Sequence, residues 1–389
     1  MKPEINVSVD EFTIVLHPED EFTLKKWVLN ATQMIHSFEE KSGIIHLFGK
    51  RNILERPPQG YKTAYTYGEH PFYFAIGFHE SYVKMGVIIK FSALAWSFYQ
   101  TFYLNRFEQE IHVFQFVQNI QCEDLYTVRL SRFDLAIDYL NFDIEVDSLY
   151  KDLTSEPKLM VIKNINNRIN NSVISGMVAN NVSNTMYIGS RKRNVNILLR
   201  VYDKKIEQIE TNGYFLKEAL AYQSWIRFEV VFKGKYAHQI TDSLMDITKF
   251  ELYQNYLINL FLEKYQFYQV NNDELILHPI SDILFKALKS ETLDQTLYSP
   301  RPINNDLVSS LLYIIKGSGL FPILYKVEQI WGDDQIELLF EFIYYIYKSR
   351  FNPNNDHRAW LEKNNKTLKT VPFEEILELV NKLIDRRNK

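Results

Sequence analysis

The run Ser131-Arg132-Phe133-Asp134-Leu135-Ala136-Ile137-Asp138-Tyr139 decides the fold. On a strand, successive side chains point to opposite faces. Arg132, Asp134, Ala136 and Asp138 therefore share one face, and Phe133, Leu135 and Ile137 the other. The apolar face must meet a core, which leaves the charged face to line something polar. A half-buried strand of this kind implies a sheet with one face covered and one open.

A second run, Trp225-Ile226-Arg227-Phe228-Glu229-Val230-Val231-Phe232, repeats the pattern, with Arg227 and Glu229 on one face and Ile226, Phe228 and Val230 opposite. Two such strands in one sheet offer oxygen ligands to a hard cation, Mg²⁺ or Mn²⁺. They could equally form an inter-strand Arg–carboxylate pair without metal, and spacing leaves both open. Asp134 and Asp138 are four residues apart on a strand, about 13 Å, too far to hold one ion together. Asp134 with Glu229 is the expected metal pair, because Asp138 lies at the strand end beside Asp143; whether Asp138 replaces or joins Asp134 stays open.

Two further runs concentrate positive charge. Thr185-Met186-Tyr187-Ile188-Gly189-Ser190 leads into Arg191, Lys192 and Arg193, which suits phosphate contacts, as does Lys205; a solvated hairpin tip is the alternative. Asn196 to Lys205 places Arg200, Tyr202 and Lys204 on one face, so a phenol sits between two cations. That setting stabilises a phenolate and attracts a phosphodiester, which makes Tyr202 a candidate nucleophile. From Tyr187 to Tyr236 there are ten Lys or Arg against five Asp or Glu, a local excess of five positive charges in a chain whose net charge is −4. A polyanion groove follows from that concentration, and a globally basic coat is excluded.

The rest of the 389 residues narrows the class. A single cysteine, Cys122, excludes an intramolecular disulfide and a Cys-based zinc site. No apolar leader or stretch of membrane-spanning length is present, so the expectation is a cytoplasmic protein without membrane contact. No two of the nine His are two residues apart, which removes a His-hydrophobe-His metal motif, and no phosphate-binding Gly-x-x-x-x-Gly-Lys-Ser/Thr loop occurs.

Strands are expected at 9–16, 72–78, 84–91, 131–139, 185–189, 196–202 and 225–232. Helices are expected at 23–41, with Thr23 as N-cap, at 93–117 and at 249–268. The Asn-rich segment 164–184 reads as a loop-rich insertion. Ser299-Pro300-Arg301-Pro302 reads as a boundary between a sheet-bearing domain, 1–298, and an all-helical domain, 303–389. The fold class is thus α+β followed by helices. Leu307–Lys316 and Leu320–Trp331, joined by Gly317-Ser318-Gly319, fit a helix-turn-helix, with Lys316 and Lys326 as DNA contacts.

Taken in order, the four runs resemble the Rep_trans family, the replication initiators of rolling-circle plasmids with related relaxases of conjugative elements. The resemblance lies in Arg132 to Asp138, Tyr187 to Arg191, Leu199 to Lys204 and Trp225 to Glu229; Met85-Gly86-Val87-Ile88-Ile89-Lys90-Phe91-Ser92 is similar to a stretch in the relaxase branch. Val231 stands where some initiators have a second Glu, and Ile226 is an extra residue between Trp225 and Arg227. The resemblance implies an antiparallel-sheet domain that nicks and rejoins origin DNA through a 5′-phosphotyrosine on Tyr202. It also implies a divalent metal, Arg200, Lys204 and Arg227 around the reaction, a homodimer, and recruitment of a helicase. The opening strand, where many relaxases begin with a helix-turn-helix, favours an initiator. The alternatives are a conjugative or mobilisation relaxase and a non-catalytic DNA-binding regulator.

Overall fold

The computed structural model describes residues 2–19, 24–68, 74–179, 182–192, 195–272, 274–288, 307–316, 318–353 and 372–386, with residues 358, 361, 365 and 369 between the last two segments. The chain divides into two compact units, Met1–Tyr298 and Ser299–Lys389. The Pro-punctuated boundary at 299–302, the Thr23 cap and Arg193 lie outside the described residues.

The first unit opens with β1 (Glu4–Pro18), α1 (Leu24–Ser42), α2 (Ile44–Phe48), β2 (Arg51–Ile53), β3 (Thr63–Tyr67), β4 (Phe74–Phe78) and β5 (Val87–Phe91). It continues with α3 (Ala93–Phe107), α4 (Val113–Asn119), β6 (Tyr126–Leu140), α5 (Val146–Thr154), β7 (Met160–Lys163), β8 (Ile174–Ala179), β9 (Val182–Ile188) and β10 (Ile197–Asp203). Then come α6 (Lys204–Glu210), α7 (Leu216–Ala221), β11 (Trp225–Lys233), α8 (Lys235–Asp246), α9 (Phe250–Leu262), β12 (Gln266–Asn271), β13 (Glu274–Leu277) and α10 (Pro279–Ala287).

Ten strands form one antiparallel sheet in the order β2-β3-β4-β5-β1-β6-β11-β10-β9-β8. A smaller sheet has the order β13-β12-β7. The two 15-residue strands β1 and β6 are the spine of the ten-stranded sheet, paired along almost their whole length. Their apolar positions face the helices. Phe12 and Phe133 are fully buried and paired across the ladder, and the Phe12 ring meets Phe91 at 5.0 Å, Trp96 of α3 at 5.0 Å and Phe116 of α4 at 5.9 Å. Each fully buried large apolar side chain contributes about 1.5–3 kcal/mol, so this seam anchors the sheet to its helical layer. The other face carries the polar positions, as the alternation in 131–139 requires.

The architecture is the α+β class expected, and several elements differ in extent. Residues 93–117 form two helices, since Glu108 adopts φ 57 and ends α3 with its backbone N–H donating to Leu104 O. The helix expected over 249–268 stops at Leu262, and Gln266–Asn271 becomes a strand because β7 and β13 flank it with ladder partners. The Asn-rich segment contains β8, which pairs with β9.

The second unit contains α11 (Leu307–Lys316), α12 (Leu320–Trp331), α13 (Asp334–Arg350) and α14 (Phe373–Arg386). Both helices of the expected helix-turn-helix are present, and Gly319 at φ 78 supplies the left-handed residue in the turn between them. Lys326 is exposed on α12; the side chain of Lys316 lies outside the described set.

Candidate active site on the open face of the sheet

Register fixes the site. Directly opposed residues share a face, and the ladders set Arg200 against Glu229, Tyr202 against Arg227, Arg227 against Asp138, and Val231 against Asp134. Glu229 stands opposite Ala136, so Asp134 and Asp138 are its two diagonal neighbours, with Cβ atoms typically about 7–8 Å away. The residues read from four separate runs thereby meet on three adjacent strands, β6, β11 and β10.

Each carboxylate is matched with a guanidinium. Arg132 grips Asp134 with two hydrogen bonds, 2.8 Å from Nε and 2.6 Å from Nη2, and its Nη1 donates to Glu11 at 2.6 Å. Arg227 grips Asp138 in the same bidentate manner, at 2.7 and 2.8 Å, and donates to Asp10 at 2.6 Å; Trp225 Nε1 adds a third bond to Asp138 at 2.7 Å. Arg200 pairs with Glu229 Oε1, and the Tyr202 hydroxyl donates to Glu229 Oε2 at 3.2 Å. Paired, hydrogen-bonded geometry is what allows charges at 1 % exposure, as Asp134, Asp138 and Glu229 are.

Asp10 and Glu11 are absent from the sequence reading. Between Val9 and Phe12 the β1–β6 register slips, so these two residues together oppose Asp134 alone. That bulge lets consecutive acids both serve the polar face, where strict alternation would send one to the core.

Tyr202 is the penultimate residue of β10, immediately before Asp203, whose carboxylate accepts from Ile206 N at 2.8 Å and caps α6. The ring is 7 % exposed, with the Arg200 guanidinium 5.1 Å and the Lys204 ammonium 5.6 Å from its centroid. The sequence predicts that cations ease ionisation of this phenol. Instead its pKa is raised: burial is the largest cause, Glu229 and Asp10 add to it, and Arg227 and Arg200 oppose. In this state the phenol keeps its proton and shares it with Glu229.

Asp134 is also perturbed, pushed up to about 7 by burial, with Glu229 and Glu11 reinforcing and Arg132 opposing. Asp134 is thus a buried acid whose proton affinity a neighbouring carboxylate raises, and such a group gains from a divalent cation. Both oxygens of Asp134 are held by Arg132 and those of Glu229 by Arg200 and Tyr202, so a cation held by the two would take the place of these donors. Asp138 is tied down by three donors. Among the described residues no group of three or more His, Cys, Asp or Glu forms a ready metal cage.

The remaining cations are placed as follows. Lys204 is buried and paired with Glu207 at 2.6 Å. Lys205 donates to the carbonyls of Tyr222 and Gln223, at 2.6 and 3.2 Å, and so ties α6 to the approach of β11. Arg191 lies over the Tyr187 ring at 4.5 Å, and Lys192 is exposed beside it.

No curated protein matches the chain. A solved structure titled as a rolling circle replication initiator protein from Geobacillus stearothermophilus is similar in fold, with TM-score 0.50 and 14 % identity, covering 73 % of this chain and 97 % of that one. Residues 128–277, which hold Asp134, Tyr202, Arg227 and Glu229 and leave out Asp10 and Glu11, match the Rep_trans family, described as replication initiation factors.

Proposed function

We propose that the protein initiates rolling-circle DNA replication by nicking and rejoining a strand of origin DNA through Tyr202. The observation that carries this reading is the Tyr202 hydroxyl held 3.2 Å from Glu229 on a sheet face shared with Arg200, Arg227 and Asp134. The match of 128–277 to replication initiation factors supports it.

In the proposed reaction Tyr202 Oη attacks phosphorus, the phenol proton passes to Glu229 Oε2, and the bond from phosphorus to O3′ breaks. The products are a 5′-phosphotyrosine and a 3′-hydroxyl, protonated from solvent, that can prime synthesis. The phosphodiester energy stays in the adduct, so rejoining needs no nucleotide hydrolysis. Mg²⁺ or Mn²⁺ on Asp134 and Glu229 would, when bound, neutralise phosphate charge and polarise the phosphorus. Arg227, buried beside the phenol, and the partly exposed Arg200 offset charge that builds on the transferring phosphoryl, and Lys204 does so across the ring. Arg191, Lys192 and Lys205 flank the strand's path, and duplex origin recognition falls to residues 303–389.

The test is a denaturing gel of the protein with an origin oligonucleotide labelled at its 3′ end and Mn²⁺. A covalent shift is expected with the natural chain and none with Tyr202→Phe, which should still bind DNA in a native gel. A shift retained by Tyr202→Phe would move the nucleophile elsewhere.

A further inference from the structure

A cavity of about 240 Å³ opens beside Tyr202, lined by Thr185 and Tyr187 of β9, Arg200 and Tyr202 of β10, and Glu207 and Glu210 of α6. Its charge is the reverse of what a phosphate needs. Asp203, Glu207 and Glu210 line it against Arg200, with Lys204 paired to Glu207 at 2.6 Å. A sugar–phosphate chain would be repelled there; the cavity suits a neutral, flat group.

Two tyrosine rings line it, and the Tyr187 ring is backed by Arg191 at 4.5 Å. Aromatic faces of this kind stack nucleobases that have left a helix. The polar groups specify further. Asp203 already accepts from Ile206 N and Glu207 from Lys204, which leaves the Glu210 carboxylate to accept from an N–H donor of the occupant. Arg200 Nε is buried with no hydrogen-bond partner, a donor that awaits an acceptor. Guanine meets both demands, with N1–H and the N2 amino group adjacent on one edge and O6 and N7 as acceptors. Thymine has no amino group to offer the acids.

We propose that this cavity is a recognition pocket for one extruded nucleobase next to the scissile phosphate, guanine ahead of thymine. The pocket gives the nicking site a sequence preference of its own, separate from duplex recognition. It rests on the nicking reading only for what the neighbouring phosphate undergoes.

The test uses the full-length protein without added metal and fluorescein-labelled pentanucleotides d(TTXTT), with X as G, A, C or T, read by anisotropy. The G oligonucleotide should bind about tenfold tighter than the all-T one. In Glu207→Gln and Glu210→Gln, both on accessible positions of α6, that preference should fall to within about twofold while binding of the all-T oligonucleotide persists. Equal binding of all four oligonucleotides, or a preference for G unchanged in both variants, overturns the pocket. Preference for G without any covalent adduct in the gel assay would leave the pocket standing and remove the nicking reading; an adduct without preference would do the opposite.

Discussion

Asp134 shows how a single buried group sets behaviour that activity assays would miss. Its folded pKa, about 7, lies above the 3.8 of a free aspartate side chain, so the folded chain binds a proton more tightly than the unfolded one. Stability contributed by this group is present at low pH and is lost as pH rises from about 4 to about 7, at most about 1.4 kcal/mol per pH unit. His17, His112, His238 and His278 act with the opposite sign, since burial lowers each and stability then rises with pH. The expected outcome is therefore a difference: urea midpoints of the natural chain and Asp134→Asn, compared at pH 5 and pH 7, should show the natural chain losing more stability on going up in pH. Equal changes would mean that Asp134 is ionised throughout. The Arg132–Asp134 and Arg227–Glu229 faces were legible because a strand has period two. Asp10 and Glu11 were not, because a bulge depends on the register of the partner strand, which the sequence of β1 alone does not contain.

Individual elements carry their own consequences. Gly86 sits between the turn at Val83–Met85 and β5, at φ 64, and a Cβ built there would lie 2.3 Å from the Leu16 carbonyl oxygen. Ser92 ends the same segment by accepting from Ala95 N and capping α3. The stretch from Met85 to Ser92, similar to one in relaxases, therefore has a structural explanation in the close approach of β5 to β1. Gly86→Ala should cost about 2 kcal/mol or more, through backbone strain and the displaced carbonyl, and thermal unfolding followed by circular dichroism would show it. Loss of a degree or less would mean that the backbone relaxes. Where sequence misjudged elements, the cause is tertiary. Residues 263–268 continue the apolar spacing of α9, yet ladder partners on β7 and β13 make 266–271 a strand. Within 93–117, nothing in the apolar spacing marks the left-handed turn at Glu108.

At the scale of the molecule, the two units invite separate assay. Met1–Tyr298 holds every residue of the proposed reaction, while α12 and α13 of Ser299–Lys389 have no buried residue. A chain ending at 298 is expected to form the covalent adduct on single-stranded DNA and to lose preference for the origin duplex in a competition gel shift; retained preference would place recognition in the first unit. The broad composition, four motifs and helical tail were readable from the chain, because each is local. That the motifs converge was not, since convergence is a property of strand order. Finally, the guanidinium–carboxylate matching across the open face has a polyelectrolyte consequence. Lys90, Arg132, Arg200, Lys204 and Arg227 each already face an internal anion. Five unpaired cations on single-stranded DNA would give a logarithmic salt slope of about 3.5, at about 0.7 per phosphate neutralised. Here a phosphate exchanges with a carboxylate, fewer condensed counterions leave the nucleic acid, and affinity titrated against sodium chloride should fall with less than about half that slope.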